Sequence, residues 1–148
     1  MDESITKEKK TDMVTDIQET FDIKEQDPKQ YSALTLAYIG DGIYDLIIRT
    51  MVVERGNARV NQLHKTVSGM VKASAQADMI RKMEPFLTEE EMGVYKRGRN
   101  AKSYTKAKNA SVTEYRHATG FEALMGYLYL THQIDRILEL VKIGLDEE

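Results

Sequence analysis

The chain has 148 residues, 41% hydrophobic and 30% charged, a formal net charge of −3 and no cysteine. That length suits one domain with a real core, and the lack of cysteine excludes a disulfide framework, a thiolate-bound metal and a thiol nucleophile. A uniformly basic nucleic-acid binder is also excluded, so any polyanion must be met by a local concentration of positive charge. No uncharged apolar run is long enough to span a membrane, and Met1 to Lys10 is too polar for a secretory signal. A reducing cytoplasm fits the composition.

Residues 1–27 are polar, with scattered Met13, Val14, Ile17, Phe21 and Ile23 and no strong period, which reads as a flexible or loosely docked arm. Asp27-Pro28 supplies a cap and a first-turn proline, predicting a helix that runs to Arg55 before Gly56-Asn57. In it Leu36, Ile39, Ile43, Leu46 and Ile47 form an apolar stripe, with Tyr38, Asp41, Asp45 and Ile48 on an adjacent face. Asn57 caps a second helix from Ala58 to about Ser68, and after an interruption at Gly69 a third continues from Met70 to Met83, closed by Pro85. Thr88-Glu89-Glu90-Glu91 is a capping box that opens a short helix to about Arg97. Ser111 or Thr113 caps a long helix to about Leu130, and a last amphipathic helix follows from Ile134 to Leu145. With no convincing strand, the class is all-α.

Three features carry chemistry. Asp41 lies in Tyr38-Ile39-Gly40-Asp41-Gly42-Ile43-Tyr44-Asp45, inside a long apolar run where an unpaired carboxylate is expensive. Glu122 lies in Phe121-Glu122-Ala123-Leu124-Met125-Gly126, again among apolar and small residues. If the two helices pack, Asp41 and Glu122 could share a divalent ion, and oxygen-only ligation suits Mg²⁺ or Mn²⁺. Such an ion lowers the pKa of a bound water and neutralises charge on a phosphodiester. The plainer alternative makes both carboxylates hydrogen-bonded core or capping groups. The third feature is the acid-free stretch from Arg97 to Lys108, whose Arg97, Arg99, Asn100, Lys102, Lys106 and Lys108 suit phosphate and sugar contacts; Gly98, Asn100 and Ser103 make it loop-like. The histidines His64, His117 and His132 are scattered over separate helices and signal a metal site only weakly.

The two acidic stretches resemble the two motifs of the ribonuclease III family: an aromatic-Leu-Gly-Asp core in one, and Phe-Glu-Ala-Leu-x-Gly-x-x-Tyr-Leu in the other, matched here by Phe121 to Leu130. The resemblance covers about residues 30–145, so residues 28–148 are expected to form a ribonuclease III-type helical endonuclease domain. No double-stranded-RNA-binding domain is expected to follow, and with the Arg97 to Lys102 stretch this looks like the bacterial Mini-ribonuclease III subfamily. The resemblance implies a homodimer that cleaves double-stranded RNA with Mg²⁺ (Mn²⁺ also serving), leaving 5′-phosphate and 3′-hydroxyl ends. It implies precursor 23S ribosomal RNA as substrate, in the cytoplasm, with room for a ribosomal protein on that substrate. Asp41 matches the signature aspartate, Glu122 the metal-binding glutamate and Tyr38 the aromatic at the dimer interface.

The chain departs from the larger enzymes at three acidic positions, where it has Ala37, Gln62 and Thr119. That suggests a site reduced to Asp41 and Glu122 as direct ligands. The competing readings are a catalytically weak or inactive RNA-binding protein on the same scaffold, and a helical adaptor whose basic loop meets an acidic protein.

Overall fold

The computed structural model describes residues 11–102 and 111–146, and among these there is no strand. Among the described residues seven α-helices follow in order: α1 Met13–Thr20, α2 Ala33–Arg55, α3 Val60–Val71, α4 Ala73–Met83, α5 Glu89–Asn100, α6 Val112–Leu130 and α7 Ile134–Gly144. Short 3₁₀ turns occupy Pro28–Gln30 and Glu84–Phe86.

Local chemistry sets the boundaries. Asp27 caps only the 3₁₀ turn, accepting from the Lys29 amide; Ser32 then caps α2 by accepting from Thr35. The single helix expected from Asp27 is therefore a turn and a helix, because two caps compete for one start. Gly69 does not interrupt α3, and the break falls at Lys72, where the backbone is extended. Asn57 is not the cap of α3, which starts at Val60 after Arg59 with no side-chain cap. Both halves of the Thr88–Glu91 capping box are formed, and a second box joins Ser111 to Glu114.

Helix α6 is the axis of the fold, buried on nearly every side from Ala118 to Leu128 and packed against α2, α5 and α4. Against it α2 buries Leu36, Ala37, Gly40, Ile43, Tyr44 and Ile48. The buried stripe is thus rotated from the expected one: Leu46 is 50% exposed while Ile48 is fully buried. Tyr44 meets Phe121 edge-on with ring centroids 4.9 Å apart. Burial pushes its phenol pKa up, and the hydroxyl donates to the Met70 carbonyl at 3.2 Å. Glu91, 5% exposed, is held by a two-pronged ion pair from Arg136 at 2.8 and 2.9 Å, tying α5 to α7.

The described part of the arm is docked rather than free. Asp12 caps α1, Val14 is buried, and His132, past the end of α6, reaches Asp12 at 2.9 Å and Glu25 at 2.5 Å. Those carboxylates raise the His132 pKa, the Glu25 contact first, which favours the doubly donating imidazolium.

The α2–α6 crossing is closed backbone to backbone. A Cβ on Gly40 would stand 1.7 Å from the Glu122 carbonyl oxygen, and one on Gly126 would stand 1.9 Å from that of Leu36. Contacts that short force the helices apart, and overpacking of this kind costs about 1–3 kcal/mol or more. Gly42 faces open space. We therefore expect Gly126→Ala to lose at least that much stability in urea denaturation, while Gly42→Ala gains up to about 1 kcal/mol from helix propensity. Equal stability of the Gly126→Ala and wild-type proteins would refute the close crossing.

Candidate active site

The crossing glycines are also what brings the carboxylates together. Asp41 follows Gly40 directly, and Glu122 belongs to the residue whose carbonyl lies against Gly40. The two side chains are hydrogen-bonded to each other within one chain. Asp41 is exposed and Glu122 half-buried. Burial first, then the Asp41 charge and the hydrogen bond to Asp41, push the Glu122 carboxyl up to about 8. Near neutral pH it is therefore mostly protonated, its O–H donating to the Asp41 side chain. The Gln76 amide contacts Glu122 and works the other way.

Neighbouring candidates divide clearly. Asp45 does not join the pair; it is bridged to Arg49 at 2.7 Å. Ala37 and Thr119 are buried, and the Thr119 hydroxyl donates to the Tyr115 carbonyl at 3.0 Å inside its own helix. Gln62 is exposed on α3. Among the described residues no three acids or histidines gather as a metal cage. Of the histidines, His117 is within 2.5 Å of the Tyr95 hydroxyl and His132 fastens the arm, so both have structural partners. Gln76 escaped the sequence reading. Its only sequence signal is one long polar side chain between Ala75 and Ala77 on a face that has to be buried.

The basic stretch starts on a helix, not in a loop. Arg97, Arg99 and Asn100 complete α5, and Lys102 is exposed just beyond it; Lys106 and Lys108 lie outside the described residues. Gly98 misled the loop reading because it is a packing residue: its Cβ would come within 2.7 Å of the Ala123 Cβ and 2.9 Å of the Gly120 Cα. That contact lays the basic end of α5 beside the helix that carries Glu122. Arg99 sits over the Tyr95 ring, 5.7 Å from its centroid. Tyr38 is 82% exposed on α2, three residues before Asp41.

Comparison with known proteins agrees with this architecture. Residues 34–133 match the model of the Ribonuclease III domain. A Clostridium tetani protein named Mini-ribonuclease 3 is 49% identical over 122 residues, covering 82% of this chain and 81% of its own. A protein of the same name from Enterococcus faecalis is 53% identical over 118 residues, covering 78% of this chain and 89% of its own. A crystal structure of a Fusobacterium nucleatum protein superposes with a TM-score of 0.73 at 32% identity, covering 82% of this chain and 98% of that one. The chain belongs to the ribonuclease III family, among the Mini-ribonuclease 3 proteins.

Proposed function

We propose that this chain is a divalent-metal-dependent endoribonuclease that cuts double-stranded RNA, with Asp41 and Glu122 as its metal-holding residues. The observation that carries the reading is their direct contact at a glycine-closed helix crossing. The donor set fits a hard cation: two carboxylates, with no sulfur or imidazole among their contacts. The cation, Mg²⁺ or Mn²⁺, would supply charge neutralisation at the scissile phosphodiester and an acidified water. The protein's own part is to keep two carboxylates close on rigid helices, and to let Glu122 release its proton when the cation takes its place. Arg97, Arg99, Asn100 and Lys102, with Lys106 and Lys108, would hold the RNA backbone, since duplex RNA is gripped by phosphates and shape more than by sequence.

The motif resemblance supports the finer reading of 5′-phosphate and 3′-hydroxyl products and of precursor 23S ribosomal RNA as substrate, with a ribosomal protein able to assist there. It also supports a homodimer in which exposed Tyr38 inserts into the partner. Among the described residues no helix is long and apolar enough to cross a membrane, and we place the activity in the cytoplasm.

Labelled duplex RNA incubated with Mg²⁺ or with chelator tests the reading. Discrete shorter products with Mg²⁺ alone are expected; RNA retention without such products would favour a binding protein on the same scaffold. Asp41→Asn should abolish those products without lowering the melting temperature at neutral pH, because it removes the charge that opposes ionisation of Glu122. Cleavage near the wild-type rate would remove Asp41 from the site.

The raised Glu122 pKa makes a signed prediction. Between about 4.5 and 8 the folded chain keeps a proton that the unfolded chain has released. Stability without metal should therefore fall as pH rises through that window, and Glu122→Gln should flatten the fall. Metal binding needs the carboxylate, so at pH 7 it should release close to one proton per chain. Calorimetry in buffers of different ionisation enthalpy measures this, and no proton release would contradict the protonated pair.

Neutralising Arg97, Arg99 and Lys102 together should weaken RNA binding and lower the slope of log affinity against log salt by about 2–3, roughly one per lost phosphate contact. An unchanged slope would show that the cradle lies elsewhere.

A further inference from the structure

His132 stands where a glycine would be expected. It follows the cap residue Thr131 of α6, in a Schellman turn closed by the Gln133 N–H on the Leu128 carbonyl at 2.8 Å and the His132 N–H on the Tyr129 carbonyl at 3.1 Å. Its φ of 65° is left-handed, a conformation that suits glycine and strains any side chain. The strained residue carries a ring whose two nitrogens both meet carboxylates. Nδ1 lies 2.9 Å from Asp12 Oδ2, at the cap of α1, and Nε2 lies 2.5 Å from Glu25 Oε1, in the segment after α1. An ionised carboxylate only accepts, so both contacts are hydrogen bonds only when each ring nitrogen carries a proton. A neutral ring sets one bare lone pair against an oxygen.

The surroundings leave the decision to that ring. The charges acting on it are Asp12 and Glu25. The Thr15 hydroxyl lies 3.4 Å from Nδ1, Gln18 donates to Glu25 at 3.2 Å, and Tyr129, in the last turn of α6, is near enough to Asp12 to feel its charge. Apolar burial adds little: Val14 is the one buried residue of α1, while Met13 and Ile17 on the helix and Phe21 and Ile23 after it are exposed. We propose that His132 is a proton-operated clasp for the N-terminal arm: protonated, it holds residues 12–25 on the end of α6, and neutral, it releases them. A ring between two carboxylates keeps its proton more firmly than a free one, as the raised His132 pKa agrees. Docking is therefore at full strength below about 6.5, the value of a free imidazole, and weakens as pH rises to the docked ring's own midpoint. The acid limit is set by Asp12, held low first by the Thr15 amide, and by Glu25, held low first by His132; docking fails again as pH falls through their lowered values.

NMR of the full chain tests this by following the His132 ring and the exchange protection factors of the α1 amides from about pH 6 to about pH 9. Protection of α1 should fall from about pH 6.5 to the ring midpoint, tenfold for each unit by which that midpoint exceeds the free value, while α2 and α6 keep theirs. His132→Gly should leave α1 unprotected at every pH, with a melting temperature equal to or above that of wild type, because glycine suits the turn. A histidine that served the turn alone would leave α1 docked in that variant. Asp12→Asn combined with Glu25→Gln keeps a helix cap but removes both charges, and should return the ring midpoint to about 6.5 and abolish the pH step. The clasp is overturned if wild-type α1 is unprotected at pH 6 or equally protected across the range. It is also overturned if α1 protection in His132→Gly stays within about threefold of wild type at pH 6. A pH step that survives in the Asp12→Asn, Glu25→Gln variant would place the titrating group elsewhere and overturn it too; should His132→Gly not fold, that variant decides.

Discussion

Two glycines facing two carbonyls set the geometry on which the site depends. Gly40 against Glu122 and Gly126 against Leu36 let α2 and α6 touch without an intervening side chain. Helices kept apart by ordinary side chains pack at 8–10 Å between axes, and short acidic side chains on opposite helices would then need a bridge to meet. Direct backbone contact removes that gap. It also explains why α6 has no exposed face over most of its length: with α2 so close on one side and Tyr95 and Gly98 of α5 packed on Gly120 at the other, no room is left for solvent.

Closeness has an electrostatic consequence. Two carboxylates in contact, one of them half-buried, do not both ionise without a counter-charge, so the metal-free pair holds one proton. A site with further acids at the positions of Ala37 and Thr119 would repel itself more strongly. A methyl group and a hydroxyl that bonds inside its own helix stand there instead and add no such repulsion.

Much of this was legible in the residues, and the failures have physical causes. Asp41 and Glu122 stood out because a charge inside an apolar run needs a partner, and that argument does not depend on exact helix ends. Thr88–Glu91 was legible because a capping box is local chemistry. Gly69 and Gly98 misled, since a glycine that breaks a helix and one that lets another helix approach are spelled alike; Gly98 is the second kind, and only the position of Ala123 reveals it. The expected α2 stripe leans toward Leu46, whereas the buried face includes Tyr44, whose hydroxyl is satisfied by the Met70 carbonyl. Whether the arm is flexible or loosely docked stays open in the sequence, because its anchors, His132 to Asp12 and Glu25, lie more than a hundred residues away along the chain.

The basic end of α5 shows how a structural and a functional reason can share the same residues. Three glutamates open this helix and two arginines close it, the arrangement that complements a helix dipole, so Arg97 and Arg99 need no ligand to explain them. Their surroundings nevertheless differ. Arg99 lies over Tyr95 and its Nε donates to the Asn100 side chain at 3.2 Å, which holds the guanidinium against the helix. Arg97 and Lys102 are exposed, past the end of the acidic turn that could neutralise them. A dipole is satisfied by charge within the last turn, and Lys102 stands beyond it. Positive charge continues in the sequence past the point where helix stability has any use for it. That excess, not the arginines as such, is what points outward to a polyanion.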